Sequence, residues 1–395
     1  MFERKQLKIL RNRLEEKTSY IQILSGTRQV GKTTLVEQLL QYINFPYQFS
    51  TADNIPSSDT NWISIQWETA RVKLKTSDAA SVLLIIDEVQ KIDNWSDAVK
   101  KEWDEDRRKN VNVKVILLGS SALLIDKGLT ESLTGRFEII FLPHWDYIEM
   151  HDAFGFTEDQ YLYFGSYPGS AGFIHDEKRW KDYILNSIIE TTISKDIVML
   201  TNIKKPALLK NLFEVSCMYS SQILSYTKII GNLSDKGNTI TLAHYQFLLD
   251  KIWFISGLQK YSGSKISLRN SIPKWNVYNN AFFNVYSNLS PNDCEPGSAI
   301  YGRLVESAIG SYLLNQCRIN NINLYYWREG NNEVDFILKK GSKLISLEVK
   351  SGTMKSNSGQ LQFANKFKTF KTIVVSNDTI NWKEFIKIDI NGLFD

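Results

Sequence analysis

Gly26, Gly31, Lys32 and Thr33 fall within GTRQVGKTT at the spacing G-x-x-x-x-G-K-S/T. That spacing suits phosphate chemistry. Glycines reach φ > 0, so Gly26 and Gly31 can turn backbone N–H groups into one concavity. A helix opening at Lys32 would add its unpaired N–H donors and the positive end of its dipole. The loop positions Gly26, Thr27, Arg28, Gln29, Val30, Gly31, Lys32, Thr33 and Thr34 form the expected nucleotide cradle. Lys32 would reach the β- and γ-phosphates, and the Thr33 hydroxyl would ligate Mg²⁺. Downstream, Val82–Ile86 is a continuous apolar run ending in Asp87 and Glu88. Such a run reads as a parallel strand covered on both faces, and acids at its carboxyl end stand where open α/β sheets keep their sites. Asp87 is the expected Mg²⁺ holder, and Glu88 the base that activates water. The cradle and the acid pair are expected to meet across adjacent strand tips.

These residues need elements to hold them. Ile21–Ser25 reads as a buried strand, and a helix follows the loop. Residues 3–17 read as an amphipathic helix, Phe45–Ser50 as a strand, and a further helix runs to about Lys75. Trp95–Arg108 is a charged helix, Val113–Leu118 a buried strand and Phe137–Leu142 another. Strand–helix alternation of this kind argues for a doubly wound α/β domain with a parallel sheet. Ser120 follows the Val113 strand and is the expected γ-phosphate or water contact, with Ser121 as the alternative and a plain turn or cap as the structural reading. Arg136 reads either as an arginine finger, in cis or on a neighbour's nucleotide, or as the partner of local acids.

Together, GTRQVGKTT, IIDEVQKIDNW, LLGSSALLI and SLTGRFEIIFLP resemble the predicted AAA+-type P-loop ATPases of bacteria and archaea. In those proteins the ATPase domain is fused to a C-terminal region of uncharacterised role. Tyr161–Gly169, Thr191–Leu200 and Tyr301–Leu313 resemble landmarks of that region, so the resemblance spans nearly the whole chain. It implies ATP and Mg²⁺ as ligands. One departure stands out: where the family carries an acid in a short segment before the last domain, Pro273–Tyr286 (PKWNVYNNAFFNVY) has none.

The expected organisation is an ATPase domain over 1–158, a helical lid and winged-helix-like domain over 159–290, and an α/β restriction-endonuclease-like domain over 291–395. Residues 160–215 read as helical. Gln222–Asn232 and Thr239–Ile252 read as two helices around a polar turn, followed by a β-rich tail from Phe254 to Leu268. This rhythm resembles a winged helix-turn-helix. It would turn Thr241, His244 and Tyr245 outward, with Lys260, Lys265 and Arg269 on the wing, toward DNA. Plain packing between domains is the other use of such a module. In the last domain Glu333-Val334-Asp335 opens a strand, Gly341-Ser342 makes a turn, and Leu344–Val349 returns with Glu348-Val349-Lys350. Glu306, Asp335, Glu348, Lys350 and Gln360 resemble the PD-(D/E)xK pattern. Asp335 and Glu348 would take Mg²⁺ or Mn²⁺ through oxygen, and Lys350 shares a strand face with Glu348. Such a fold either cleaves nucleic acid or serves as a binding platform.

Composition excludes little. The chain has 395 residues, and 47 Lys+Arg against 43 Asp+Glu give a net +4, too balanced to argue for nucleic acid by itself. Cys217, Cys294 and Cys317 are odd in number and scattered, which fits a reducing cytoplasm and gives no metal spacing. The amino terminus lacks a signal-peptide core, and no apolar run has membrane-span length. The functional expectation is an ATPase driving a DNA-binding or nuclease-like module. The alternative is a nucleotide-switched binding protein with slow hydrolysis and an inactive nuclease fold.

Overall fold

The computed structural model describes all residues except 1, 17–19, 120–131, 199–202, 233–237, 264–270, 288, 295, 297 and 353–357. It divides into two units, residues 1–142 and 143–395.

In the first unit, five parallel strands form one sheet: β1 (Ile21–Ser25), β2 (Tyr47–Thr51), β3 (Val82–Asp87), β4 (Val113–Gly119) and β5 (Phe137–Phe141). Their spatial order is β2-β3-β4-β1-β5. Alternation along each strand sends successive side chains to opposite faces, and both faces are covered. Leu83, Ile85, Ile116 and Leu118 pack with helices α1 (Lys5–Glu15) and α2 (Lys32–Leu40) through Leu7, Leu10, Leu35 and Leu39. Leu84, Ile86, Val115 and Leu117 pack with α3 (Asn61–Lys75) and α4 (Trp95–Lys109) through Ile63, Trp67, Val99 and Trp103. Arg71 joins α3 to α4 through Glu102 (2.7 Å) and Asp106 (2.8 Å). The doubly wound reading therefore holds. One detail differs: the cradle strand β1 and the acid strand β3 are not neighbours, because β4 lies between them.

The second unit begins with helices α5 (Tyr147–Phe154) and α6 (Glu158–Phe164), each opened by a capping box, and α7 (Glu177–Asp182). π-Helical turns over Tyr183–Glu190 and Ile193–Val198 follow, then α8 (Pro206–Met218). Two further helices, α9 (Tyr226–Asn232) and α10 (Thr239–Lys251), precede an antiparallel pair, β6 (Ile255–Leu258) and β7 (Lys274–Val277). The helix expected from Gln222 starts four residues later. Residues 221–224 are instead drawn against β7: the Ser221 and Leu224 amides donate to the Trp275 and Pro273 carbonyls, at 2.7 and 3.2 Å. The acid-free segment Pro273–Tyr286 supplies β7 and then α11 (Asn280–Tyr286). Asn279 caps that helix by accepting the Ala281 amide at 3.1 Å, and it donates to Ser166 Oγ at 3.0 Å.

A 21-residue helix, α12 (Ala299–Ile319), leads into a second sheet of order β11-β10-β9-β8. Its strands are β8 (Asn323–Glu329), β9 (Asn332–Lys340), β10 (Lys343–Val349) and β11 (Lys371–Val375), with α13 (Ser358–Phe367) between the last two. The expected β9–β10 hairpin is present, and Gly341 takes φ 59° in its turn. β10 then pairs in parallel with β11. No helix among the described residues is long and apolar enough to cross a membrane.

Candidate functional site

The N-terminal cradle is built by a short strand, a tight loop and a helix end. Gly31 takes φ 91° immediately before α2, a left-handed turn that favours glycine. The second left-handed residue is Gln29 (φ 61°), not Gly26. Gly26 is required for another reason: a Cβ there would stand 2.3 Å from the Leu142 carbonyl oxygen. The loop is also held from behind, since the Arg4 guanidinium donates to the Val30 carbonyl at 3.2 Å. Thr27 and Val30 are buried, Arg28 is half-buried, and Gln29, Thr33 and Thr34 are exposed.

Lys32 is 8% exposed and donates from Nζ to the Gly26 (2.9 Å) and Thr27 (2.7 Å) carbonyls. Its ammonium therefore lies inside the loop. The Thr33 hydroxyl donates to Asp87 Oδ2 at 3.1 Å. The two reach each other across the tip of β4, where the register sets Gly119 beside Ser25, two small residues. Asp87 Oδ1 accepts the Glu88 amide at 2.8 Å. Burial, then the Glu88 charge, pushes the Asp87 carboxyl above its usual range, against the Thr33 and Glu88 hydrogen bonds and the Lys32 charge. Oxygen donors from Thr33 and Asp87 beside a lysine-lined loop fit Mg²⁺ and a triphosphate.

Glu88 occupies the left-handed region at φ 52°, and its Oε2 accepts from Gln90 Nε2 at 2.5 Å. Gln90 is buried, and its own Oε1 has no hydrogen-bond partner among the described residues. Neither Gln90 nor Arg4 belongs to the loop motif or the acid pair, and only the position of Gln90, two residues beyond Glu88, marks it in the sequence. Ser120 and Ser121 lie outside the described residues.

Arg136 is a correction in part. Its residue precedes β5, and its carbonyl accepts the Ile21 amide at the start of β1, at 2.9 Å. It thus stands at the amino edge of a parallel sheet, whereas the cradle and acid pair stand at the carboxyl edge. Its guanidinium forks onto Asp104, Nε to Oδ1 at 2.8 Å and Nη2 to Oδ2 at 3.0 Å. A finger in cis is excluded by this placement.

In the second unit two of the three expected carboxylates, Glu306 and Asp335, meet around a cation, Lys274, together with Glu333. Lys274 on β7 is 1% exposed, and its Nζ lies 2.7 Å from Glu306, 3.0 Å from Asp335 and 3.3 Å from Glu333. Asp335 Oδ2 accepts the Val349 amide at 2.9 Å. Glu348 is paired with Lys350 at 2.6 Å, and its Oε2 is buried without a hydrogen-bond partner among the described residues. Gln360 does not join them: its amide nitrogen donates to the Ile373 carbonyl at 2.8 Å, on β11. Among the described residues no group of three His, Cys, Asp or Glu side chains is arranged to hold a metal ion. The expected Mg²⁺ or Mn²⁺ set therefore does not fit, because an ammonium stands among its oxygens.

The expected DNA face also changes. On α10, His244 is exposed and Thr241 half-buried, but Tyr245 is only 4% exposed and its hydroxyl accepts the Lys205 amide at 3.3 Å. Ile240 and Phe247 are the large exposed side chains there, at 79% and 50%. Lys260 is half-buried, its backbone bridged to Tyr326. Lys265 and Arg269 lie outside the described residues.

Comparison with known proteins agrees with the first unit. Residues 18–151 match a family model described as an AAA domain, while residues 157–293 and 301–388 match two domains of unknown function, DUF8612 and DUF4143. A protein of Haemophilus influenzae described as uncharacterized is 21% identical over 350 residues, covering 84% of this chain and 82% of its own. One of Methanocaldococcus jannaschii, described in the same way, is 22% identical over 363 residues, covering 85% and 76%. Among solved structures, the Walker-type ATPase of Pyrococcus abyssi overlays with a TM-score of 0.49 at 14% identity, covering 72% of this chain and 96% of its own. The Aeropyrum pernix Orc1 protein in complex with DNA gives 0.32 at 12%, covering 73% and 93%. The family match, the parallel sheet and the loop define an AAA-type P-loop ATPase domain at the amino end of this chain.

Proposed function

We propose that this protein binds ATP with Mg²⁺ and hydrolyses it in its first unit, and that the nucleotide state governs a binding module in the second. The observation that carries the reading is the Thr33–Asp87 hydrogen bond (3.1 Å), which draws the cradle and the acid strand to one point. On binding, Lys32 exchanges the Gly26 and Thr27 carbonyls for phosphate oxygens, and the loop amides take the remainder. Thr33 and Asp87 hold Mg²⁺, which when bound offsets charge on the phosphates. Glu88 accepts the proton of the attacking water, a contribution typically worth about 10²–10⁴-fold. The test is direct. Lys32→Ala should abolish ATP binding, and Glu88→Gln should retain bound ATP without turnover. Unchanged binding in the first, or unchanged turnover in the second, removes that residue from its role.

A cleaving second unit and a merely binding one are different readings. The Lys274 ammonium among Glu306, Glu333 and Asp335 favours the binding reading. The exposed Ile240 and Phe247 on α10 weaken a DNA-reading role for that helix, which needs cations and hydrogen-bond donors. Plasmid incubated with Mg²⁺ or Mn²⁺, with and without ATP, should remain intact in both wild type and Glu348→Ala. Cleavage lost in Glu348→Ala would restore the nuclease reading, and a gel shift without cleavage would supply DNA as the bound partner. Arg136 serves a neighbour's nucleotide in a homo-oligomer on this reading.

A further inference from the structure

The C-terminal carboxylate centre is assembled from three separate stretches of chain. Glu306 comes from the middle of α12, Glu333 and Asp335 from β9, and Glu348 from β10. Lys274 enters from β7, far upstream in sequence. Its ammonium has three N–H donors, and three carboxyl groups stand within 3.3 Å of it. The ammonium also lies over the Phe336 ring, 5.3 Å from its centre. A lysine this deeply buried is tolerated only when its charge is met by close, hydrogen-bonded partners. Two further contacts hold the centre: Asp335 Oδ2 accepts the Val349 amide, and Glu348 Oε1 accepts from Lys350, while Glu348 Oε2 has no hydrogen-bond partner among the described residues.

We infer that Lys274 is the resident cation of this centre, standing where a divalent metal would bind and supplying the counter-charge to Glu306, Glu333 and Asp335 in its place. Magnitudes favour it. Mg²⁺ and Ca²⁺ hold oxygens at about 2.0–2.6 Å and need about six ligands. Here the Lys274 contacts span 2.7–3.3 Å, the range of an ammonium hydrogen bond. Adding a dication beside the lysine would place two like charges in one buried site. Displacing the lysine would strand its charge, unpaired, in a buried site. The lysine also ties β7 to α12 and β9, so one side chain serves as both counter-charge and strut.

The inference stands apart from the ATPase reading and is tested by metal binding, not turnover. The full-length protein is used without nucleotide, in an Asp87→Asn background that silences the first unit. Mn²⁺ alone is the probe, followed by its electron spin resonance. With Lys274 present no Mn²⁺ should be bound, and the melting temperature should not move on adding Mn²⁺. Lys274→Ala should acquire a Mn²⁺ site that is lost again on adding Asp335→Asn. Mn²⁺ bound with Lys274 intact and lost in Asp335→Asn overturns the inference, as does a folded Lys274→Ala that gains no site. If Lys274→Ala fails to fold, the wild-type melting measurement still decides: a Mn²⁺-dependent rise abolished by Asp335→Asn overturns it, and no rise upholds it.

Discussion

The Thr33 hydroxyl, in the first turn of α2, lies 3.1 Å from Asp87 Oδ2, although a whole strand, β4, separates β3 from the cradle strand β1. The contact works because α2 begins directly over the small residues at the β1 and β4 tips. It predicts a shared ligand role. Thr33→Ala should lower Mg²⁺-dependent ATP affinity by about 10–100-fold, the equivalent of one hydrogen bond to a charged group at about 1.5–3 kcal/mol. The loss should shrink when Mg²⁺ is replaced by a chelator. Equal losses with and without Mg²⁺ would make Thr33 a phosphate contact instead.

Gln90 is the second test of the same edge. Its amide fixes the Glu88 carboxylate at 2.5 Å, with Glu88 turned there by a left-handed backbone at φ 52°. Gln90→Ala should therefore lower kcat by about tenfold or more, one charge-assisted bond, while ATP affinity stays within about twofold. Separate measurement of turnover and equilibrium binding checks this. A variant that loses affinity and keeps turnover would mean that Gln90 supports the fold of the loop alone.

The cradle and the acid strand were legible because buried parallel strands write themselves as continuous apolar runs, and the loop spacing is fixed by phosphate geometry. Strand order was not legible: nothing in Val113–Leu118 says that it inserts between the other two. Arg136 illustrates a signal that was available. A residue preceding a parallel strand stands at the amino edge, opposite the edge where such sheets bind ligands. Lys274 shows the reverse. Nothing local to Pro273–Trp275 marks Lys274, and only the return of β9 and α12 makes it the centre of three acids. The hairpin carrying Asp335 and Glu348 was readable from period-two alternation, whereas its metal chemistry depended on what else arrived there.

That centre has a pH signature. Burial, then the Asp335 charge, raises Glu306 to about 8, and the same two causes raise Glu348 to about 7. Asp335 is held below its usual range despite its burial, by Lys274 and the Val349 amide. A carboxyl raised in the folded state holds its proton more tightly there than when unfolded. The folded state thus binds more protons between the ordinary value of 4.5 and about 8, and stability falls as pH rises through that window. Melting temperatures from pH 5 to 8.5 should decline, and Glu306→Gln should make the decline shallower. A wild-type curve that rises across this range, or one unchanged by Glu306→Gln, contradicts the assignment.

Arg136 yields the last prediction. Its fork onto Asp104 is part-exposed, so the pair contributes only about 0–1 kcal/mol and the variant should fold. From the amino edge of the sheet it cannot serve the nucleotide of its own chain. Arg136→Ala should therefore leave ATP affinity unchanged in dilute protein. If the side chain serves a neighbour, wild-type specific activity should rise with protein concentration as chains associate, and the variant should stay at the dilute value. Mixing the variant with Lys32→Ala is the sharper measurement. Neither turns over ATP at an assembled site alone, yet a mixed assembly pairs an intact cradle with an intact Arg136 and should recover part of the activity. Recovery absent at every ratio removes Arg136 from catalysis in a neighbour and leaves it as the partner of Asp104, whereas a loss of turnover already present in the dilute monomer overturns the exclusion of a role in its own chain.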